Sequence, residues 1–111
     1  MSELTELQEE LKVQEGIVAT KDAVERLLNN ADFKKIILEG YIKDEMHRHM
    51  TLAICDKLSV EDRELNNSLA KSAAALSNYL ETLVQMGRIA EEDVAQLGEQ
   101  IEEVMAHKEE E

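Results

Sequence analysis

Apolar residues open the chain at Leu4, Leu7, Leu11, Val18 and Val24, joined by Leu27 and Leu28, at intervals of three, four and seven with Glu and Lys between them. On a helix that spacing gathers them on one side, so the first segment is predicted to be an amphipathic helix. Gly16 interrupts it at about 1 kcal/mol relative to Ala, which predicts a weak point or bend there. Asn29 and Asn30 close the segment, and Asn30 or Asp32 is suited to cap the next helix by accepting a hydrogen bond from an otherwise unpaired backbone N–H.

The second segment, about 31–58, sets Phe33, Ile36, Ile37, Gly40, Tyr41, Met50, Ile54 and Leu58 roughly on one side. Ile42, Met46 and Leu52 lie off that stripe, so this helix is expected to be covered on more than one side and to form the centre of the fold. Gly40 sits among Ile36, Ile37 and Tyr41, where a close helix crossing or a mild kink is expected. Ser59 with Asp62 three residues on resembles a capping box and opens the third segment. Leu65, Leu69, Ala73, Leu76, Leu80, Leu83 and Gly87 then recur at threes and fours. Between Ser68 and Asn78 that segment is mostly Ala and Ser with one charge, Lys71, and small residues allow a second helix to approach closely, either inside the fold or at an interface. Gly87 is expected to end the helix as a left-handed residue. A fourth segment, about 90–107, carries Val94, Leu97, Ile101, Val104 and Met105 over an acidic opposite face, with Gly98 weakening it and Lys108 to Glu111 as a frayed tail.

No proline and only four glycines occur in the 111 residues, so nothing supplies the punctuation of β-hairpins. The expected fold class is all-α, a small bundle of three to four helices whose short connections make neighbours antiparallel. The length allows one helical domain over 1–111, with acidic ends at 1–15 and 106–111 loosely held. Leu4, Leu7 and Leu11 make a stripe too narrow for a monomer's core, so the N-terminal helix is expected to project and to pair with another copy. With one Phe, two Tyr and no Trp, the core must be aliphatic.

Charge narrows the possible functions. The 25 acidic and 12 basic side chains leave a net charge of −13. Residues 1–15 and 89–111 hold −12 of it, and the stretch between them is close to neutral. Such a balance argues against binding a nucleic-acid backbone, where affinity comes from Lys and Arg displacing counterions, and against anionic membranes. No apolar run approaches the roughly 20 residues that span a bilayer, and the Glu-rich start does not read as a targeting leader. Cys55 stands alone, which fits a reducing compartment such as cytoplasm. The acidic ends admit three readings: solvated faces, a docking surface for a basic partner, or a mimic of the DNA phosphate array.

Candidate chemistry is sparse. Asp44 and His47 are three residues apart and Glu45 and His49 four apart, so each pair can share a helix face, yet the two pairs are separated by 100° of helix and do not converge on one ion unaided. A solvated or ion-paired face is the expected outcome, with no metal and no cofactor. Cys55 follows Leu52, Ala53 and Ile54 without a nucleophile signature and is expected to be a buried, inert thiol. No phosphate loop, Gly-x-Ser-x-Gly or His-Glu-x-x-His pattern is present, so no enzyme activity is expected.

The stretches Ala31-Asp-Phe-Lys-Lys-Ile-Ile-Leu-Glu-Gly-Tyr-Ile-Lys-Asp-Glu45 and Tyr79-Leu-Glu-Thr-Leu-Val-Gln-Met-Gly-Arg-Ile-Ala90 resemble a family of small acidic helical proteins of tailed bacteriophages. Met46-His47-Arg48-His49 departs from that pattern, which has an alanine- and valine-rich run there. The resemblance implies an all-helical fold and a phage origin but carries no site residues. Together with the near-neutral, small-residue-rich centre between charged ends, it leads to the expectation of a minor virion component or head/tail assembly accessory in the host cytoplasm or virion. Such a protein would act by helix–helix contact with itself or a phage structural protein, through a coiled-coil face of Leu4, Leu7, Leu11, Leu69, Ala73, Leu76 and Leu80. The alternative is an acidic, DNA-mimic-like inhibitor of a host defence or DNA-binding enzyme.

Overall fold

The computed structural model describes residues 2–110, with side chains through 109. Every regular element among the described residues is helical, so the fold is all-α, with three helices. Helix α1 is Glu3–Leu28. Helix α2 runs over 31–53 in three consecutive parts, an α-helical start at Ala31–Phe33, a π-helical stretch Lys34–Glu45 and an α-helical end Met46–Ala53. Helix α3 is Val60–Glu110, 51 residues long.

Two of the breaks fall where the sequence places them. The Asn30 side-chain oxygen accepts from the Phe33 backbone N–H at 2.9 Å, so Asn30 and not Asp32 is the cap of α2. Ser59 accepts from the Asp62 N–H at 3.1 Å and starts α3. The second segment is shorter than expected, because α2 stops at Ala53 and Leu58 lies in the connection. The predicted break at Gly87 is absent. No described glycine has a positive φ, and the third and fourth predicted helices are one. Glycine ends a helix only when its neighbours leave the chain to turn left-handed, and here the apolar three-four repeat continues past it. Helix also persists through Lys108 and Glu109, so the predicted frayed tail is helical as far as the described residues reach. Gly16 produces no interruption of α1.

The chain divides into two units. The first comprises Met1–Val24 and Leu83–Glu111. Here α1 and the second half of α3 run antiparallel: Lys21 meets Gly87 and Glu91, Val18 shares a groove with Val94, and Leu4 shares one with Val104. Carried along both helices, that register sets Leu7 opposite Ile101 and Leu11 opposite Leu97. All four are half-buried, so Leu4, Leu7 and Leu11 pack within their own chain instead of projecting. Their narrow stripe suffices because the facing stripe is equally narrow.

The register also explains Gly87. A Cβ there would fall on Cβ, Cγ and Cδ of Lys21. Lys21 is only 8% exposed, and its aliphatic stem fills the space a side chain at 87 would take. Its ammonium reaches the Glu91 carboxylate and lies 3.4 Å from Asp22. The close crossing expected at Gly40 is therefore found at Gly87. A Cβ on Gly40 would meet only the Lys35 carbonyl oxygen of its own helix, at 3.1 Å.

The second unit is Glu25–Thr82, holding the end of α1, α2, and the first half of α3. Its interior is small: Ala70, Ala73 and Leu80 of α3 and His49 of α2. In the π-helical stretch the Met46 N–H reaches back to Tyr41 O, five residues away. The covered apolar positions there are Phe33, Ile37 with Leu38, Tyr41 with Ile42, and Met46. That repeat exceeds four residues, whereas an α-helix repeats every 3.6. The wider turn rotates Ile36, predicted to lie on the covered stripe, out to 61% exposure.

Candidate interaction surface

The seven residues predicted to meet a partner fall into three groups. Leu4, Leu7 and Leu11 belong to the first unit and are half-buried there. Ala73 (0% exposed) and Leu80 (8%) face into the second unit and are consumed by its own packing. Leu69 is 38% exposed and Leu76 half-buried, and these two remain within reach of a partner.

Leu65 at 57% and Tyr79 at 60% exposure join Leu69 and Leu76; Leu65 belongs to the repeat expected of this helix, but neither is among the seven residues expected to meet a partner. The signal was available: positions 65, 69, 72, 76 and 79 alternate by four and three, the spacing of a narrow helix seam. Positions 83, 87, 90, 94, 97, 101 and 104 continue the repeat on the same helix after two successive steps of four, at 79, 83 and 87. From 83 onward the stripe is covered or half-covered by α1, with Ala90 at 1% exposure. From 65 to 79 it is exposed at Leu65, Leu69, Ser72 and Tyr79 and half-buried at Leu76, because the buried positions Ala70, Ala73 and Leu80 lie on a neighbouring face of α3. Sequence spacing alone could not separate the two faces, since Leu69, Ala73, Leu76 and Leu80 all lie within about a fifth of a turn of one another at 3.6 residues per turn.

The polar cluster on α2 divides as its spacing suggests. Arg48 pairs with Glu45 through Nη2 at 2.8 Å and Nε at 3.3 Å. That hydrogen bond and the guanidinium charge hold the Glu45 carboxyl below the usual carboxylate range and raise Arg48. His49, 9% exposed, sits between Asn66 of α3, with Nδ1 at 2.8 Å from Asn66 Oδ1, and Glu45, with Nε2 at 3.4 Å from Oε2. Asn66 donates its amide to the Asp62 carbonyl, which turns its oxygen towards the ring. Both ring nitrogens therefore face oxygen atoms of neighbouring side chains.

Asp44 and His47 instead line an open depression with Lys43, Met46 and Met50. Among the described residues no three His, Cys, Asp or Glu side chains gather as metal ligands. Cys55 is half-buried, in the connection after α2, rather than buried as expected. Its N–H reaches Leu52 O and its carbonyl accepts from Leu58, so the turn that ends the helix sets its position.

Charge separates the units sharply. The first unit carries 15 acids against 4 bases, a net of −11, because pairing α1 with the end of α3 brings the two acidic termini of the sequence together. The second carries 10 acids against 8 bases, a net of −2. The exposed apolar seam lies on the nearly neutral unit. No described helix is long and apolar enough to cross a membrane. No protein-family model, curated protein or solved structure matches the chain.

Proposed function

We propose that the protein is a non-enzymatic interaction protein that works by helix–helix contact through the outward seam of α3, Leu65, Leu69, Leu76 and Tyr79. The observation behind this reading is the uncovered apolar alternation on the unit with a net charge of −2. A charged face gains little from contact in water, whereas an apolar seam of this spacing is stabilised when a second helix covers it. The pairing of α1 with α3 then serves as an intramolecular coiled coil, with the remaining length of the seam left for a partner.

The setting we infer is the assembly of a tailed-phage particle, as a minor virion component or a head/tail accessory in the host cytoplasm, in keeping with the resemblance of 31–45 and 79–90 to small acidic phage proteins. Co-fractionation of the tagged chain with particles or procapsids, lost in Leu69→Glu and retained in Lys71→Glu, is the expected result. A chain that meets no structural protein and no particle contradicts the phage setting.

The −11 first unit favours a second reading, an acidic inhibitor that occupies the DNA-binding surface of a host enzyme. That reading requires competition with DNA that weakens as salt rises. It fails if joint replacement of Glu102, Glu103 and Glu109 by Gln leaves the competition unchanged.

A further inference from the structure

The open depression at the end of α2 plays no part in the seam of α3, and its lining brings together side chains of a different chemistry. We infer that it is a binding site for a soft monovalent metal ion of the copper(I) class, held by the thioethers of Met46 and Met50 and the imidazole of His47. All three border the depression with Lys43 and Asp44, around a volume of about 460 Å³, and all five residues belong to the second unit.

The backbone under the three donors is regular. Met46–Ala53 is the α-helical end of α2, so successive residues turn by about 100°. Met50 therefore lies about 40° round the helix from Met46 and about 60° from His47, between the two and one turn beyond them. Residues three and four apart stand roughly 5–6 Å from each other at Cβ, and the flexible, unbranched methionine side chain can close such a gap. Met46 and Met50 are the one pair of the five methionines that stand a single turn apart. Met50 is 53% exposed, His47 is exposed and Met46 half-buried, which leaves the set open to an ion from solution. His49, about 160° round the helix from His47, is covered and bonded to Asn66. The two imidazoles are thus divided: one ties α2 to α3, and the ring of the other borders the depression with no hydrogen-bond or ion-pair partner among the described residues.

The donor set selects the ion. Thioether sulfur is a soft, uncharged ligand that suits copper(I) and not hard ions such as magnesium or calcium, and imidazole also binds copper. Zinc takes thiolate, imidazole and carboxylate, ordinarily four donors in a tetrahedron. Here Asp44 and His47 find no third group of that kind among the described residues. The Asp44 carboxylate shares the depression with the Lys43 ammonium, so their charges offset each other. An ion of single charge held mainly by neutral donors is the one such a place suits.

Silver(I) tests this, since it has the same charge and softness and needs no reductant. The full chain is used with Cys55→Ser, because its free thiol would bind silver by itself. Titration with silver nitrate in chloride-free buffer, followed by nuclear magnetic resonance, is expected to show a single equivalent bound, with shifts at the methyl groups of Met46 and Met50 and at the ring of His47. Met50→Leu and His47→Gln are each expected to weaken binding more than about tenfold, the least seen when even an indirect partner of a metal is removed. Zinc under the same conditions is expected to leave those signals in place. No silver bound, silver bound with the three side-chain signals unmoved, or binding unchanged in the Met50→Leu, His47→Gln double variant would each overturn the site. Zinc bound more tightly than silver would overturn the soft-ion assignment. Both substituted positions are exposed, so helical circular dichroism is expected to be kept; should His47→Gln lose it, Met50→Leu alone carries the comparison.

Discussion

At the scale of single residues, the same substitution has opposite consequences at two glycines of one helix. A Cβ at Gly98 meets nothing within 4 Å, while at Gly87 it falls on the stem of Lys21. Gly98→Ala is expected to stabilise the protein by roughly 0.5–1 kcal/mol through helix propensity alone. Gly87→Ala is expected to lose about 1–3 kcal/mol, because atoms so close to the Lys21 backbone yield only if the helices part. Urea midpoints followed by circular dichroism compare the two directly. Asn66→Ala removes the acceptor of a nearly buried ring nitrogen and is expected to cost about 1–3 kcal/mol in the same assay.

Glu45 gives the pH dependence. Its folded-state value lies below that of the unfolded chain because Arg48 donates to it, so its contribution is present above the ordinary carboxylate range and is lost as pH falls through it. Thermal midpoints of wild type and Glu45→Gln are expected to differ at neutral pH and to converge in acid; curves that stay parallel throughout would contradict the pairing. Neither the Lys21–Gly87 fit nor the His49–Asn66 bond was legible beforehand, since each depends on the register between helices distant in sequence. The pairing of Arg48 with Glu45 follows from their spacing of three on one helix.

At the scale of elements, caps were more legible than stops. Asn30 and Ser59 act locally through their own side-chain oxygens, so sequence suffices to find them. Gly87 misled because a glycine reports either a helix end or a close approach, and only the facing helix decides which. The 51-residue α3 was present in the sequence as one continuous repeat of threes and fours, with two fours in succession from 79 to 87, which the stop at Gly87 divided. The π-helical register of α2 was not legible, since Phe33, Ile36, Ile37, Gly40 and Tyr41 fit a 3.6 repeat well enough to hide the wider turn. Long π stretches are rare and poorly bonded compared with α-helix. Amides of Lys34–Glu45 are therefore expected to exchange with deuterium faster than those of 62–80 in α3, measured by mass spectrometry on peptic fragments; equal protection would contradict it.

For the whole molecule, the ends of the sequence supply the charge and its middle supplies the uncovered apolar seam. The sequence showed both as composition, but not that the acidic termini pair with each other, nor which side of α3 is left open. An apolar seam on a near-neutral unit predicts association that salt does not dissolve, since apolar contact is insensitive to screening and repulsion between acidic stretches of two chains weakens as ions are added. The measurement that bears most directly on this is the solution mass of the purified chain by light scattering after size exclusion, at low and high salt. A mass of twice the 12.6 kDa chain, undiminished in high salt and reduced to a single chain in Leu69→Glu, is the result expected. A single-chain mass at every concentration and salt would contradict contact of the α3 seam with another copy of the chain, one of the two partners expected from the sequence.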